Sequence, residues 1–277
     1  MKDFLLEVAF TILGIGAASG LVLKDGELYL ISDSSNYLYQ YSMTSQQLHK
    51  TLLTDSSPPH ERLSKEVKSD FEAIYPDENR LIILGSGSDT GYARNQQISI
   101  AIRSKRRIKT HNMRPLYQHL QEKYQIGPDN FNIEGALRYH KQLLLFNRGN
   151  GPLGFNGIFR ITPGLDTVFI PVPLPDLNET PAGFSDAVRI RDTIYFTAVA
   201  ESHPSVYHDG KIKGTYLGIM RLPEFEIEQL IVLSDTSKFE GITFVSEDST
   251  MIHFLLCEDK DTDSQQSVIY NLTITKP

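Results

Sequence analysis

Cysteine is almost missing from this chain: its 277 residues include one, Cys257. An intrachain disulfide is excluded, and a reducing compartment suits such a sequence. An excess of positive charge is also missing. Lys and Arg number 27 against 34 Asp and Glu, a formal net charge of −7. Binding along a nucleic-acid backbone needs clustered positive charge, so nucleic acid is not an expected partner. The basic run 103–107 (Arg-Ser-Lys-Arg-Arg) reads as a solvated turn. No apolar run reaches the roughly 18 residues of a bilayer-spanning helix, so no membrane partner is expected. The apolar stretch Phe10–Ala18 does not read as a cleaved signal, because Glu7 breaks it and only Lys2 precedes it with positive charge. A cytoplasmic monomer is the expectation. Gly-X-Ser-X-Gly is absent too, which removes the nucleophile elbow.

What the chain does have is repetition. Hydrophobic residues make up 40%, ample for a sizeable core. Five segments share one head: Ala18-Ser19-Gly20-Leu21-Val22, Phe71-Glu72-Ala73-Ile74-Tyr75, Ile133-Glu134-Gly135-Ala136-Leu137, Phe184-Ser185-Asp186-Ala187-Val188 and Phe239-Glu240-Gly241-Ile242-Thr243. Each leads into a short strand, a turn and a second apolar strand. The second strands read ELYLIS, RLIILG, QLLLFN, TIYFTAV and MIHFLL. The spacing between heads is near even and stays near even when the chain end is joined to its start. A period of roughly 50 residues with four short strands marks a propeller blade. The expected fold is all-β, one five-bladed β-propeller domain over residues 1–277.

Third and fourth strands are predicted at 37–43 and 49–54, at 157–162 and 167–173, and at 215–222 and 229–234. The fifth repeat has one further candidate, 268–275. The N-terminal segment 4–12 belongs to no repeat, so it is expected to complete the last blade and cover its exposed edge. Arg114–Tyr124 carries Leu116, Leu120 and Tyr124 on one helical stripe, predicting a helix between the second and third blades. His253, inside an apolar strand, reads as a core histidine.

The head column reads Ser19, Glu72, Glu134, Ser185, Glu240. Equivalent starts of inner strands converge on one axis, so three carboxylates meet there. Such a polar position can simply begin an inner strand. Three unpaired carboxylates, however, raise one another's pKa or repel. A hard cation removes that conflict. Calcium accepts six to eight oxygen ligands in flexible geometry. The column holds no Cys or His, so zinc does not fit.

The order Ser, Glu, Glu, Ser, Glu resembles the calcium-activated nucleotidase (apyrase) family of five-bladed propellers. The stretch from Ser19 to Tyr41 is similar to that family's first blade, and 183–185 and 239–242 to its fourth and fifth heads. The resemblance implies a channel calcium held by Ser19, Glu72, Glu134, Ser185 and Glu240. The same heads resemble bacterial phytase-like and esterase-like propellers, so the substrate stays open.

Loops at 33–36, 85–95, 147–156, 201–214 and 258–267 share the face of the heads. They offer Ser86 in a Gly-Ser-Gly-Ser turn, and Arg94 and Arg148, whose guanidinium forks suit phosphate or carboxylate. Asp33 and Glu201 are the candidate general bases. The expected activity is calcium-dependent hydrolysis of a phosphorylated, anionic small molecule. Two alternatives stand: a non-catalytic ligand- or protein-binding propeller with a structural calcium, and lactone or ester hydrolysis at the same ion.

Overall fold

The computed structural model describes residues 4–54, 62–64, 66–89, 91–102, 107–202, 210–260 and 264–277. Residues 103–106 of the basic run lie outside them, as do 203–209 and 261–263 of the head-face loops. Twenty strands form five antiparallel sheets of four, and the fold is a five-bladed β-propeller. Blade 1 holds β2 (Gly20–Lys24), β3 (Glu27–Ile31), β4 (Tyr37–Ser42) and β5 (Leu48–Leu52). Blade 2 holds β6 (Phe71–Asp77), β7 (Arg80–Gly85), β8 (Gln96–Ala101) and β9 (Ile108–Asn112). Blade 3 holds β10 (Ile133–Tyr139), β11 (Gln142–Asn147), β12 (Gly157–Ile161) and β13 (Thr167–Pro171). Blade 4 holds β14 (Ala182–Ile190), β15 (Thr193–Glu201), β16 (Ile212–Arg221) and β17 (Glu226–Ser234). Blade 5 runs β18 (Lys238–Glu247), β19 (Met251–Asp259), β20 (Gln266–Thr275), and ends on β1 (Phe4–Leu13).

The N-terminal strand therefore completes the last blade, as its lack of a repeat of its own required. β1 pairs antiparallel with β20, from Phe4 opposite Ile274 to Leu13 opposite Gln266. The inner strands β2, β6, β10, β14 and β18 contact one another in a closed circle. Five apolar clusters fill the gaps between neighbouring blades. Each sheet thus buries both faces against its neighbours, which explains why the second strands are nearly continuous apolar runs.

The helix α1 (Arg114–Tyr124) begins at a proline-bearing first turn and ends on left-handed Gln125. It packs between blades 2 and 3. The apolar stripe is wider than Leu116, Leu120 and Tyr124 indicate. Tyr117 is buried as Leu120 is, tilts against Phe131 with ring centroids 5.1 Å apart and donates to the Gly85 carbonyl at 3.0 Å. Gly87 permits this approach: its φ is +70° and a Cβ there would lie 2.5 Å from the Tyr117 ring. His253 is half-buried rather than core, and its Nδ1 meets Thr273 Oγ1 at 3.0 Å. Cys257 is wholly buried.

Closure through β1 makes a specific demand. Deleting residues 1–13 removes the buried Ile12, uncovers the apolar side chains packed around it and opens β20 as an edge. Burial of one such side chain is worth about 2 kcal/mol, so a loss of several kcal/mol is expected. Urea unfolding of the full and truncated chains measures it. Equal midpoints would mean that β1 does not close the ring.

Candidate binding site at the channel mouth

A β-bulge sets four of the five head residues apart. The β6–β7 register slips between Phe71 and Ala73, β10–β11 between Ile133 and Gly135, β14–β15 between Phe184 and Asp186, and β18–β19 between Phe239 and Gly241. The extra residue is Glu72, Glu134, Ser185 or Glu240. A bulge leaves one residue out of the ladder and re-aims its side chain. Ser19 stands one residue before β2, and its N–H donates to the Ile31 carbonyl at 3.0 Å.

The two serines act as latches between blades. Ser19 Oγ donates to the Phe71 carbonyl at 2.6 Å, from blade 1 to blade 2. Ser185 Oγ donates to the Phe239 carbonyl at 2.8 Å, from blade 4 to blade 5, and meets Thr197 Oγ1 at 3.0 Å. Each receiving carbonyl belongs to the residue before a head glutamate.

The glutamates differ in what stands two positions earlier, on the same side of an extended chain. Asn132 donates to Glu134 Oε1 at 2.7 Å. Lys238 Nζ lies 2.9 Å from Glu240 Oε1 and 2.9 Å from Asp259. Burial works against the Lys238 charge, but Glu240 and Asp259 outweigh it and hold its pKa well above the usual range. Arg148 adds a second cation, with Nη1 3.3 Å from Glu134 and 3.8 Å from Glu240, and Nη2 2.8 Å from Glu201. Two of the three head carboxylates are therefore paired with buried cations.

Glu72 is the exception. The residue two before it is Asp70, another acid. Among the described residues no donor or cation contacts the Glu72 carboxylate directly. Its side chain is half-buried. Burial, and then the charges of Glu134 and Asp70, push its pKa well above the usual carboxylate range. Carboxylate oxygens of Asp33, Asp70 and Glu72 all lie within 4.8 Å of one another. Lys68 answers two of them, at 2.5 Å from Asp33 and 2.6 Å from Asp70. Asp70 adopts φ +52°, a left-handed conformation that aspartate tolerates, just before β6.

The remaining sequence candidates serve this network. Arg94 is buried, with Nη1 3.0 Å from Asp70 and 2.7 Å from Ser88, and Nε 3.3 Å from Asp89. Ser86 is fully buried and donates to Asp70. The N–H groups of Ser86, Gly87 and Ser88 are taken by the Asp70 carbonyl, the Arg94 carbonyl and Ser86 Oγ. Glu201 accepts from Arg148 and from the Gly210 N–H at 2.5 Å. Burial opposes its charge, but Arg148 and Lys238 prevail and lower its pKa. Asp33 is held by Lys68. Lys68, Asp70, Lys238 and Asp259 were not among the sequence candidates. The readable signal for two of them is the polar residue two before each head glutamate.

Calcium fits this mouth unevenly. The column does not offer five equivalent ligands, because Glu134 and Glu240 already face cations, while the two serines give their hydrogens to carbonyls and keep only oxygen lone pairs for an ion. The donor set at Asp33, Asp70 and Glu72 does fit a hard cation: metal–oxygen bonds of about 2.4 Å set opposite ligand oxygens about 4.8 Å apart.

Burial raises the pKa of all three head glutamates, so what separates them is their partners, and on that ground Glu72 and Glu134 should respond oppositely to neutralisation. A raised folded-state pKa means that Glu72 holds its proton to higher pH than in the unfolded chain. Its stabilising contribution is complete at acid pH and is lost as pH rises from the ordinary carboxylate range through the folded pKa. In metal-free buffer Glu72→Gln should therefore stabilise the fold near neutral and higher pH, on the order of 1 kcal/mol, since one pKa unit is worth about 1.4 kcal/mol. The gain should shrink toward about pH 4. Glu134→Gln should destabilise by about 1–3 kcal/mol, because Arg148 loses a counter-charge in a buried site. Denaturant titrations across this pH range decide it. The same sign for both variants would make the glutamates equivalent.

Similarity to solved structures is broad and shallow. The chain is similar to a glutaminyl cyclase from Myxococcus xanthus at 11% identity and TM-score 0.56, covering 98% of this chain and 97% of that one. It is similar to the Malassezia sympodialis allergen Mala s 1 at 11% identity and TM-score 0.55, covering 100% and 96%. Such likenesses show the fold alone. No curated protein matches the chain. The family model of DUF6929, a family of unknown function, matches residues 14–274, and the chain belongs to that family.

Proposed function

We propose that this propeller is a binding protein whose channel mouth takes a hard cation, calcium, at Asp33, Asp70 and Glu72. The observation that carries the reading is the unanswered Glu72 carboxylate, with two further carboxylates within 4.8 Å. A cation there relieves the repulsion among these acids and replaces the Lys68 ammonium, which sits on a flexible stem. Lys68 thus tunes the affinity: it stabilises the empty site and competes with the ion. Glu134 and Glu240 contribute to the negative field at the axis, with Arg148 and Lys238 limiting it. When bound, calcium supplies a fixed positive charge that can meet an oxygen of a ligand.

Hydrolysis of a phosphorylated substrate has weaker support. It needs Arg94 and Arg148 to meet an anion, and both guanidiniums are buried against carboxylates. It needs Asp33 or Glu201 to take a proton, and both are held by cations. The pKa values of Glu72, Glu134 and Glu240 are all raised, and among the described residues Glu72 is the head glutamate that no cation contacts directly, so it is best placed to accept a proton.

Calorimetric titration of calcium into the chelator-treated protein, with thermal melts alongside, tests the reading. Binding to the native state alone stabilises by about 2.7 kcal/mol at a hundredfold excess over Kd. Calcium should raise the melting temperature of the wild type and fail to raise that of Glu72→Gln. Lys68→Met should be less stable than the wild type in chelator and gain more from calcium. Absence of calcium heat, or an undiminished response in Glu72→Gln, would sink the site.

A further inference from the structure

Past the charged mouth the five inner strands line a second space, a cavity of about 290 Å³ nearer the opposite end of the channel. Its composition follows from the blade register. Two residues beyond each head, the lining is Leu21, Ile74, Ala136, Ala187 and Ile242. Four residues beyond, it is Leu23, Pro76, Arg138, Arg189 and Phe244. Blades 3 and 4 thus carry alanine where the other three carry leucine or isoleucine. Both alanines border the cavity and also belong to the buried clusters between blades. The same two blades place both arginines at the rim, opposite the apolar arc of Leu23, Pro76 and Phe244. The lining contains no carboxylate.

Among the described residues Arg189 has no close acidic partner, whereas Arg138 is ion-paired with Asp77. Arg189 Nε donates to the Arg138 carbonyl at 3.0 Å, its Nη1 donates to the Arg191 carbonyl, and its guanidinium lies 5.8 Å from the Tyr139 ring centroid. Carbonyls and a ring face orient the fork and leave its full charge. Arg138 pairs with Asp77, 3.7 Å from its Nε, and hydrogen-bonds Tyr75 of the lining, so a ligand carboxylate would compete with Asp77 there and meet Arg189 unopposed. Both side chains are exposed to solvent at the rim. An apolar well with two adjacent guanidiniums on one lip matches an amphipathic anion.

We propose that this cavity binds a compact apolar carboxylate, hydrocarbon in the well and carboxylate on Arg138 and Arg189. Arginine forks engage carboxylates through two parallel hydrogen bonds, which fixes both charge and orientation. Size narrows the class. An apolar cavity of about 150 Å³ accepts benzene, so this one suits roughly twice that bulk, a medium-chain or aryl-alkyl acid. The site is independent of the cation proposed at the other end of the channel, and neither depends on the other being correct.

Octanoate, octanol and octylamine, titrated separately into the full chain, test the proposal, with methyl NMR to locate the contact. Octanoate should bind at least tenfold tighter than octanol, with octylamine weakest. Methyl shifts should appear at Leu137, Val188 and Ile242. The double change Arg138→Gln and Arg189→Gln should bring octanoate down to the level of octanol while leaving octanol unchanged. Ala187→Leu should fill the well and remove both. If that variant fails to fold, the wild-type shifts decide: shifts confined to the five inner strands support the site, and shifts elsewhere overturn it. No binding of octanoate, no preference over octanol, or a preference that survives loss of both arginines also overturns it.

Discussion

One guanidinium joins three blades at the head of the channel. Arg148 leaves the end of β11 in blade 3 and faces Glu134 of its own blade, Glu201 of blade 4 and Glu240 of blade 5. The arrangement is costly, because each ion gives up much of its hydration. It becomes tolerable only when cation and carboxylates stay together. Lys238 supplies the second cation of this half, between Glu240 and Asp259. Blades 3, 4 and 5 are therefore tied electrostatically around their shared axis. Removing Arg148 alone would leave three carboxylates facing one another with Lys238 as their near counter-charge.

The other half of the mouth is organised differently. Between blades 1 and 2, Lys68 and Arg94 meet Asp33, Asp70 and Asp89, and Glu72 is left over. The imbalance comes from a single position. Two residues before a head glutamate stand Asn132, Lys238 and Asp70, an amide, a cation and an acid. The first two answer their glutamate, and the third opposes it. A carboxylate in an acidic cluster with no cation in direct contact among the described residues is a perturbed group of the kind that gathers at functional sites. That is the physical reason for looking at Glu72 rather than at the column as a whole.

Much of this was legible in the sequence because the fold is periodic. Five heads with the same strand–turn–strand continuation specify the blade, and a leftover N-terminal strand specifies how the ring closes. The helix showed in its apolar spacing, although Tyr117 lay off the stripe, since its partners, Phe131 and the Gly85 carbonyl, lie outside the helix. Convergence of Glu72, Glu134 and Glu240 also followed from equivalence alone. Their chemical inequality did not. Arg148 meets Glu201 across 53 residues of sequence, and Ser185 meets Phe239 across 54. Such pairings depend on which blades adjoin and how loops return to the axis. Arg94 and Arg148 read as free anion-binding groups for that reason, and they are counter-ions inside the protein.

The two ends of the channel follow from the same strands read at different positions. At the head, the bulge turns a polar residue out of the ladder and gathers charge. Two and four residues later the pleat resumes, and side chains there set the volume and rim of the second cavity. Because a strand alternates, these positions vary independently of the head: Ala136 and Arg138 accompany a glutamate, while Ala187 and Arg189 accompany a serine. A chemistry common to blades 3 and 4 at those positions, despite different heads, is unlike what core packing alone requires. Packing would favour the larger residues found in blades 1, 2 and 5, since filling an apolar void stabilises the fold. The proposed ligand, with an apolar body and an acidic end, would answer both the void and the two arginines above it.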